Sequence, residues 1–414
     1  MQNNRALSTN KYDKLIMLLI SLQAFGLIGG ALQPVRIFAY CCVPFVISYF
    51  FKNRKAAKYY RYEISYFIFW CFYALISLLW VIDLDYGTLY LYHLVVSICV
   101  FFTLIWLVEK ANKPQESIIK GWILLFALTL PIALFELTYD WHLPMAIQEE
   151  GHTIRDAVVV YYRRFASVTF GNLNTYNLVL CYSLSFLLLA IAWFKKKLHL
   201  FINSFLLLFL CYIVILNSSR GAVLTLFMGV LLFLMYYFIK EKRRVLVMSF
   251  IFIVAFFIIQ NVETLFEVIL FRFERSGFED PTRSLLLVHS LDALWNSNLM
   301  GVGVGNMRPV MESVYNMNVS VVHNLFLEIL LQYGVLIFMG FVFLLWRIIK
   351  RGLMPGNRTI SRWFVLLAMC ILILGSIIDA SYLPKVYIWL FLVSVSVVVD
   401  RRYNYEYGSI QKKI

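Results

Sequence analysis

Charged residues are scarce in this sequence. They make up 14% of its 414 residues, whereas about 25% of a soluble domain is charged. Apolar residues make up 62%, compared with about 45–50% in a soluble domain. The 36 Phe and 26 Tyr exceed what a water-soluble core of this size could bury. These proportions exclude a set of soluble domains and predict an all-α polytopic membrane protein. The unbroken apolar runs also exclude an outer-membrane barrel, whose strands alternate apolar and polar residues.

Cysteine is absent from the segments predicted to lie outside the membrane. All seven cysteines fall inside predicted spans, at positions 41, 42, 71, 99, 181, 211 and 370. We therefore expect neither a disulfide nor a cysteine-based metal site. The polar start MQNNRALSTNKYDK has no obvious cleavage site after it, so we interpret it as a retained start.

Apolar runs of about 20 residues predict membrane-spanning helices. They occur at about 15–32, 37–51, 64–82, 89–108, 121–138, 175–194, 200–217, 222–239, 245–260, 324–346, 363–378 and 386–399. We expect about twelve transmembrane helices in one integral membrane domain over 1–414. Two larger segments, 139–174 and 261–323, are expected on the periplasmic side.

The net charge of +14 follows the predicted topology. With the N terminus in the cytoplasm, the inner segments hold 27 of the 37 Lys and Arg but only 7 of the 23 Asp and Glu. This distribution obeys the positive-inside rule and predicts cytoplasmic N and C termini. Anionic membrane lipid is the expected partner of these charges, and nucleic acid is not expected to bind.

Lysine is nearly missing from the outer segments. Of ten basic residues there, one is Lys385 and nine are arginines, at 36, 155, 163, 164, 220, 272, 275, 283 and 308. The planar fork of arginine matches phosphate oxygens in a bidentate manner. The pattern predicts an outward-facing site for a phosphate-bearing ligand at the outer leaflet.

Arg220 is the most informative of these positions, because it lies between two apolar runs with no room for a proper loop. A charge is costly in the bilayer, and Ser218, Ser219 and Gly221 would let a bulky head group approach. We interpret Arg220 as a fixed cation at the mouth of the bundle. The alternative is an arginine that reaches to lipid phosphates at the surface.

The segment 261–323 contains a predicted helix that Asp280 can cap and Pro281 can start. Its wide apolar face indicates a helix that lies on the membrane or packs on the bundle. Arg283 would stand beside the unpaired N–H groups of its first turn, which is an arrangement suited to an anion. Alternatively, Arg283 pairs with Glu279 or Asp280 in solvent.

Two further places combine polar residues with the start of a span. Arg163 and Arg164 precede one span and are either ligand-binding residues or interfacial anchors. His323 precedes another, and histidine is suited to proton transfer near neutral pH, although it could also cap the helix. Asn324 and Glu328 share a helix face and could support His323, hold a sugar hydroxyl or hold each other.

Motifs for metal or nucleotide chemistry are missing. The sequence has no HExxH motif, no Walker A motif and no DxD motif with other acidic residues near it in an outer loop. GVGVGN at 301–306 follows a predicted helix rather than a strand and lacks dinucleotide-binding spacing, so its glycines are expected to form a tight turn. We expect no metal and no cofactor.

The order of four motifs resembles the bacterial O-antigen ligase/polymerase superfamily. They are RRFASVTFGNLNTYN, NSSRGA at a span end, TRSLLLVHSLDALWNSNLMGVGVGN in a large outer loop, and HNLFLEILLQYG. The resemblance covers about residues 160–346. It implies a metal-independent glycosyltransferase acting on an undecaprenyl-diphosphate-linked glycan at the periplasmic face.

The resemblance also implies roles for individual residues. Arg220 and Arg283, together with Arg164, would hold the diphosphate, and His323 would assist the acceptor hydroxyl as the catalytic base. Arg36 has no such role, so Arg36→Lys is expected to leave activity unchanged. The resemblance leaves open whether a chain-length regulator protein binds.

Three functions remain open. An O-antigen polymerase joins lipid-linked repeat units, and an O-antigen ligase transfers the glycan to lipid A-core. Ligases of the superfamily often have a second histidine two residues before the HN motif, where this chain has Val321, and this departure favours the polymerase. A transporter or flippase would share twelve spans but should carry charges or broken helices near mid-membrane, whereas these spans read as largely uninterrupted.

Overall fold

The computed structural model describes residues 9–145, 164–217, 219–238, 281–317 and 321–404. Every regular element in these ranges is a helix. In chain order they are α1 (Lys11–Ser21), α2 (Pro34–Lys52), α3 (Arg54–Tyr59), α4 (Arg61–Ser77), α5 (Leu84–Val108), α6 (Pro114–Tyr139), α7 (Leu173–Trp193), α8 (Lys197–Leu216), α9 (Arg220–Tyr236), α10 (Pro281–Asn296), α11 (Met307–Ser313), α12 (Leu325–Leu353), α13 (Thr359–Gly375) and α14 (Val386–Val398). The predicted span 245–260, Arg163, Ser218 and Asp280 lie outside the described residues, as do parts of the segments 139–174 and 261–323.

The described helices agree with the predicted all-α polytopic membrane fold. Six of them, α2, α5, α6, α7, α8 and α12, are long and apolar enough to cross a membrane, and α9, α13 and α14 are shorter apolar helices. Most begin and end within a few residues of a predicted span. The number of twelve spans and the cytoplasmic termini remain predictions.

The prediction of one continuous span at 15–32 is wrong. Helix α1 ends at Ser21, and two short 3-10 turns follow at Leu22–Phe25 and Gly30–Leu32. The interruption coincides with Gly26 and Gly29, which have φ of 49° and 90°. A helix cannot continue through such positive φ values, which glycine tolerates better than other residues.

Helices that are apolar on all sides form the centre of the bundle. All 13 residues of α14 are buried, and so are 94% of the residues in the most apolar stretch of α7. The helices around them expose large apolar side chains, including Phe51, Phe201 and Leu336. This pattern is typical of a bundle whose outer surface contacts lipid.

Contacts among helix ends bring the starts of α7, α9 and α12 together at one end of the bundle. We call the end at which α7, α9 and α12 begin the site end, and the opposite one the far end. At the far end Arg402 lies 3.4 Å from the ring centre of Tyr59 and forms ion pairs with Glu109 at 3.1 Å and Asp400 at 3.0 Å. Burial, with Asp400 nearby, raises the pKa of Tyr59 to about 12, so its hydroxyl remains a donor to Asp400.

Helix α10 begins at Pro281, as predicted, and has two apolar faces. Leu286 and Ala293 are buried in a cluster with Leu331 of α12, whereas Val288 and Trp295 are 60% and 73% exposed. The helix therefore packs on the bundle and presents a second apolar face outward.

Helix α12 is broken at Gly334, where φ is 71° and ψ is −176°. The loop 301–305 inserts at the break: Val302 N–H donates to Leu331 O at 2.8 Å, and Gly303 N–H donates to Gln332 O at 3.0 Å. On the other side, Val335 N–H donates to Leu299 O at 3.0 Å. The prediction of an uninterrupted tenth span is wrong, because this loop satisfies backbone groups that the break releases.

The break at Gly334 predicts that alanine at this position lowers the stability of the protein. Alanine at this position would be forced into a left-handed conformation, and its Cβ would collide with the carbonyl of Leu299. We expect Gly334→Ala to lower the free energy of unfolding by about 1–3 kcal/mol or more. The measurement is thermal unfolding of the detergent-purified protein.

Leu336→Ala is the matched control on the same helix, because Leu336 is 71% exposed. It should unfold at nearly the wild-type temperature. Equal stability of Gly334→Ala and Leu336→Ala would contradict a required break at Gly334.

Candidate functional site

The turn 376–385 between α13 and α14 lies at the centre of the site end. Leu325 N–H, at the start of α12, donates to Ser376 O at 3.2 Å. At the start of α9, a Cβ atom on Gly221 would lie 3.2 Å from Cγ1 of Ile378. Arg220 precedes Gly221 and His323 lies two residues before Leu325, so both predicted site residues flank this turn.

Arg220 is exposed at the first position of α9. The preceding Asn217 is buried and accepts a hydrogen bond from Ala166 N–H at 2.7 Å. Its side chain also donates to Ala166 O at 3.0 Å and to Asn177 Oδ1 at 2.9 Å. These bonds fix the chain just before Arg220 against the segment that follows Arg164.

Arg164 lies at the same end, because Ala166 contacts Asn217. Its Nη1 donates to Thr138 O at 2.9 Å, in the last turn of α6. The remainder of its guanidinium is exposed. Arg164 therefore supports a helix end and still presents charge to the surface.

Arg283 is exposed in the first turn of α10. That helix is fixed near the candidate base through one apolar cluster, in which Leu286 joins Val322 and Leu331. Val322 directly precedes His323. The packing of α10 thus connects Arg283 to the start of α12.

His323 is half-buried and directly precedes the N-cap of α12. The cap is Asn324, whose Oδ1 accepts from Phe326 N–H at 2.9 Å and from Leu327 N–H at 3.1 Å. Asn324 therefore carries the capping role that the sequence left open for His323. Its side-chain oxygen is occupied by the helix rather than by Glu328.

Glu328 is fully buried and holds the turn 376–385. Its Oε2 accepts from Tyr382 N–H at 2.7 Å, and its Oε1 accepts from Leu383 N–H at 3.4 Å. Gln332 Nε2 donates to Oε1 at 3.4 Å. The carboxylate is thus committed to the backbone of the turn.

The turn also contains an ion pair between buried Asp379 and half-buried Lys385. Asp379 Oδ2 also accepts from Thr175 Oγ1 at 2.8 Å, which joins the turn to α7. Tyr382 Oη accepts from Asp379 N–H at 2.7 Å and donates to Gly375 O at 3.0 Å. Burial raises the pKa of Tyr382, so its hydroxyl stays protonated and can donate.

Glu136 holds the neighbouring turn in the same way. It is fully buried, and its Oε2 accepts from Ser167 N–H and Val168 N–H, both at 2.8 Å. Val168 has a φ of 52°, and Ser381, just before the turn residues bound by Glu328, also has a φ of 52°. Strained backbone of this kind persists only where its surroundings fix it.

Glu136 and Asp379 are the supporting residues that sequence reasoning missed. A signal was present, since each is an acidic residue inside or next to an apolar run, and such residues tend to be functional or specifically paired. Their partners come from distant parts of the chain, so the pairing itself was not visible.

The clamp at Glu328 predicts a large loss of stability when it is removed. Glu328→Leu would leave two buried N–H groups without their acceptor, which should cost about 3 kcal/mol or more. Glu328→Gln keeps one acceptor oxygen and should lose less. Thermal unfolding of the two purified variants measures the difference.

Glu312→Leu is the control, because Glu312 forms an exposed ion pair with Arg308 and its loss should cost less than about 1 kcal/mol. Wild-type stability of Glu328→Leu would show that the turn does not depend on this carboxylate.

Comparison with known proteins gives two matches. Residues 204–342 match the model of the O-antigen ligase family. The teichuronic acid biosynthesis protein TuaE of Bacillus subtilis (strain 168) is 23% identical over 354 residues, covering 81% of this chain and 71% of that protein. No solved structure matches the chain.

The matched region contains five of the six candidate residues, all except Arg164. Together with the relative, this match over residues 204–342 confirms the resemblance predicted from the order of the motifs and supports the O-antigen ligase/polymerase superfamily.

Proposed function

We propose that this protein is an O-antigen polymerase of the bacterial inner membrane. It is a metal-independent inverting glycosyltransferase that joins undecaprenyl-diphosphate-linked repeat units at the periplasmic face. The observation that carries the proposal is that the chain next to Arg220 and the start of α12, just after His323, both contact the turn 376–385, while the segment after Arg164 is bonded to Asn217 just before Arg220. The family match and the teichuronic acid relative support a membrane enzyme of cell-surface polysaccharide synthesis.

The exposed arginines would bind the diphosphate of the donor. Breaking the bond between the anomeric carbon and the phosphate oxygen leaves negative charge on the lipid diphosphate. Arg220, Arg164 and Arg283 can stabilise that charge with donors that are already in place. The polyprenyl tail remains in the bilayer, so the diphosphate reaches the protein at the mouth of the bundle.

His323 would activate the acceptor. An imidazole nitrogen takes the proton of the acceptor hydroxyl while its oxygen forms the new bond to the anomeric carbon. The diphosphate leaves from the opposite face of that carbon, and its configuration is inverted. Asn324 and Glu328 support this step indirectly, because they fix the helix start and the turn on either side of the histidine.

The O-antigen ligase is the second candidate, and the description of the matching family favours it. A deletion strain separates the two. Loss of a polymerase leaves lipopolysaccharide with core plus one repeat unit, whereas loss of a ligase leaves core alone and strands polymer on the lipid carrier. Transport of lipid-linked glycan by the purified protein in liposomes, without elongation, would instead favour a flippase.

The arginine site predicts a specific loss in Arg220 variants. Arg220→Ala should lower polymer formation by about 10²–10³-fold, since it removes a transition-state donor. Arg220→Lys keeps the charge but loses the bidentate fork and should also be strongly impaired. Arg283→Ala should behave like Arg220→Ala. The assay is elongation of lipid-linked repeat units by purified protein.

Arg308→Lys is the control for these variants, because Arg308 is exposed and pairs with Glu312 at 2.7 Å. It should retain activity. Near-wild-type polymer from Arg220→Ala, at normal protein levels, would rule out the diphosphate role.

The base role predicts that His323→Ala lowers elongation by about 10²–10⁴-fold while the lipid-linked substrate still binds. Activity of the wild type should fall at acidic pH, because a protonated imidazole cannot accept the proton. His323→Asn is the sharper variant, since asparagine preserves polarity but cannot accept the proton, and the cap of α12 is supplied by Asn324 in either case. Both binding and product length should be measured.

Full-length product from His323→Asn would exclude His323 as the base. Loss of both binding and elongation in His323→Ala would indicate a structural role instead.

A further inference from the structure

Arg36 is a buried cation on a helix that is otherwise largely exposed. Only Val35, Arg36, Ala39 and Val46 are buried in α2. Arg36 is 6% exposed. Its Nε is buried and has no hydrogen-bond partner among the described residues. A buried guanidinium that no carboxylate of the described chain neutralises is unfavourable, so this arrangement points to an anionic ligand.

The surroundings of Arg36 offer donors rather than negative charge. It stands in the first turn of α2, whose N-terminus lacks a side-chain cap in the described structure. The guanidinium lies 5.9 Å from the ring centre of Tyr92, and it is close enough to Tyr40 and His93 for electrostatic interaction. A helix N-terminus together with a buried arginine suits phosphate oxygens.

This cluster adjoins the candidate site through α5. The ring centres of His93 and Tyr90 are 6.5 Å apart, and Tyr90 lies beside Ser381 of the turn 376–385 and Glu328 of α12. Arg36 and Arg220 are therefore each connected to this turn. Such an arrangement suits a reaction in which two phosphate-bearing lipids meet.

We infer that Arg36 is the centre of a second phosphate-binding site, which holds the lipid diphosphate of the acceptor while the Arg220 site holds that of the donor. The inference rests on the proposed function, since a polymerase has two lipid-linked substrates. It predicts, in contrast to the expectation from the sequence, that Arg36→Lys lowers activity. Lysine cannot reproduce the planar fork in a buried position.

The test measures binding and catalysis separately. Undecaprenyl diphosphate is titrated into the purified protein in phosphatidylcholine nanodiscs. We expect two sites in the wild type. In each of Arg36→Met and Arg220→Ala, one site should be unchanged and the affinity of the other should fall about tenfold or more. In the elongation assay, Arg36→Met should raise the KM for a labelled single-repeat acceptor more than it lowers kcat.

Arg36→Met also controls for folding, because methionine fills similar space without burying a charge. It should unfold at the wild-type temperature or higher, while undecaprenyl diphosphate should stabilise it less than it stabilises the wild type. Arg308→Met is the exposed control and should keep both sites. Two unaltered sites in Arg36→Met would overturn the inference.

Phosphatidylglycerol distinguishes the two sources of a lipid phosphate. If it removes the Arg36-dependent site at ordinary membrane content, the site belongs to bilayer lipid and the acceptor assignment is overturned. If undecaprenyl diphosphate still binds there, the assignment is supported. Absence of polymer from the wild type would refute the proposed function, whereas two-site binding would still be measurable and would test Arg36 by itself.

Discussion

In a bilayer, backbone N–H groups outside a helix must find acceptors within the protein, and at the site end two buried carboxylates supply them. Glu136 binds the amides of Ser167 and Val168, and Glu328 binds those of Tyr382 and Leu383. Each clamp holds a turn that contains or follows a residue with positive φ. The starts of α7, α9 and α12 depend on these turns, so the geometry of the whole site depends on the two clamps.

The break in α12 shows a second way in which backbone groups outside a helix find partners within the protein. Gly334 ends the helical pattern, and the loop 301–305 donates to the carbonyls of Leu331 and Gln332. Since α10 and α11 pack on this part of α12, the break ties the outer segment to the helix that begins after His323. A catalytic side chain on a helix start gains precision when the neighbouring loops are fixed by buried hydrogen bonds.

The charges at the site end divide into two kinds. Glu136, Glu328 and Asp379 are buried and joined to the backbone or, for Asp379, to half-buried Lys385, and they give the site its shape. Arg220, Arg164 and Arg283 are exposed on elements held by that buried set, where they can meet a ligand that arrives along the membrane surface. Arg36 combines burial with positive charge, which is why it suggests a binding site rather than a structural pair.

The sequence by itself determined the helical membrane class, the approximate bounds of most described helices, the turn at GVGVGN and the resemblance to the family. These follow from apolar runs, glycine and motif order, which are local properties of the chain. Its expectations of a continuous first span and an unbroken tenth span were wrong, since whether a helix breaks at Gly26 or Gly334 depends on a distant loop that satisfies the released backbone groups. Only the tertiary structure identified Asn324 as the cap, Glu328 as a clamp and Arg36 as buried. Each of these depends on partners or neighbours brought together by packing, and spacing along one chain does not encode that proximity.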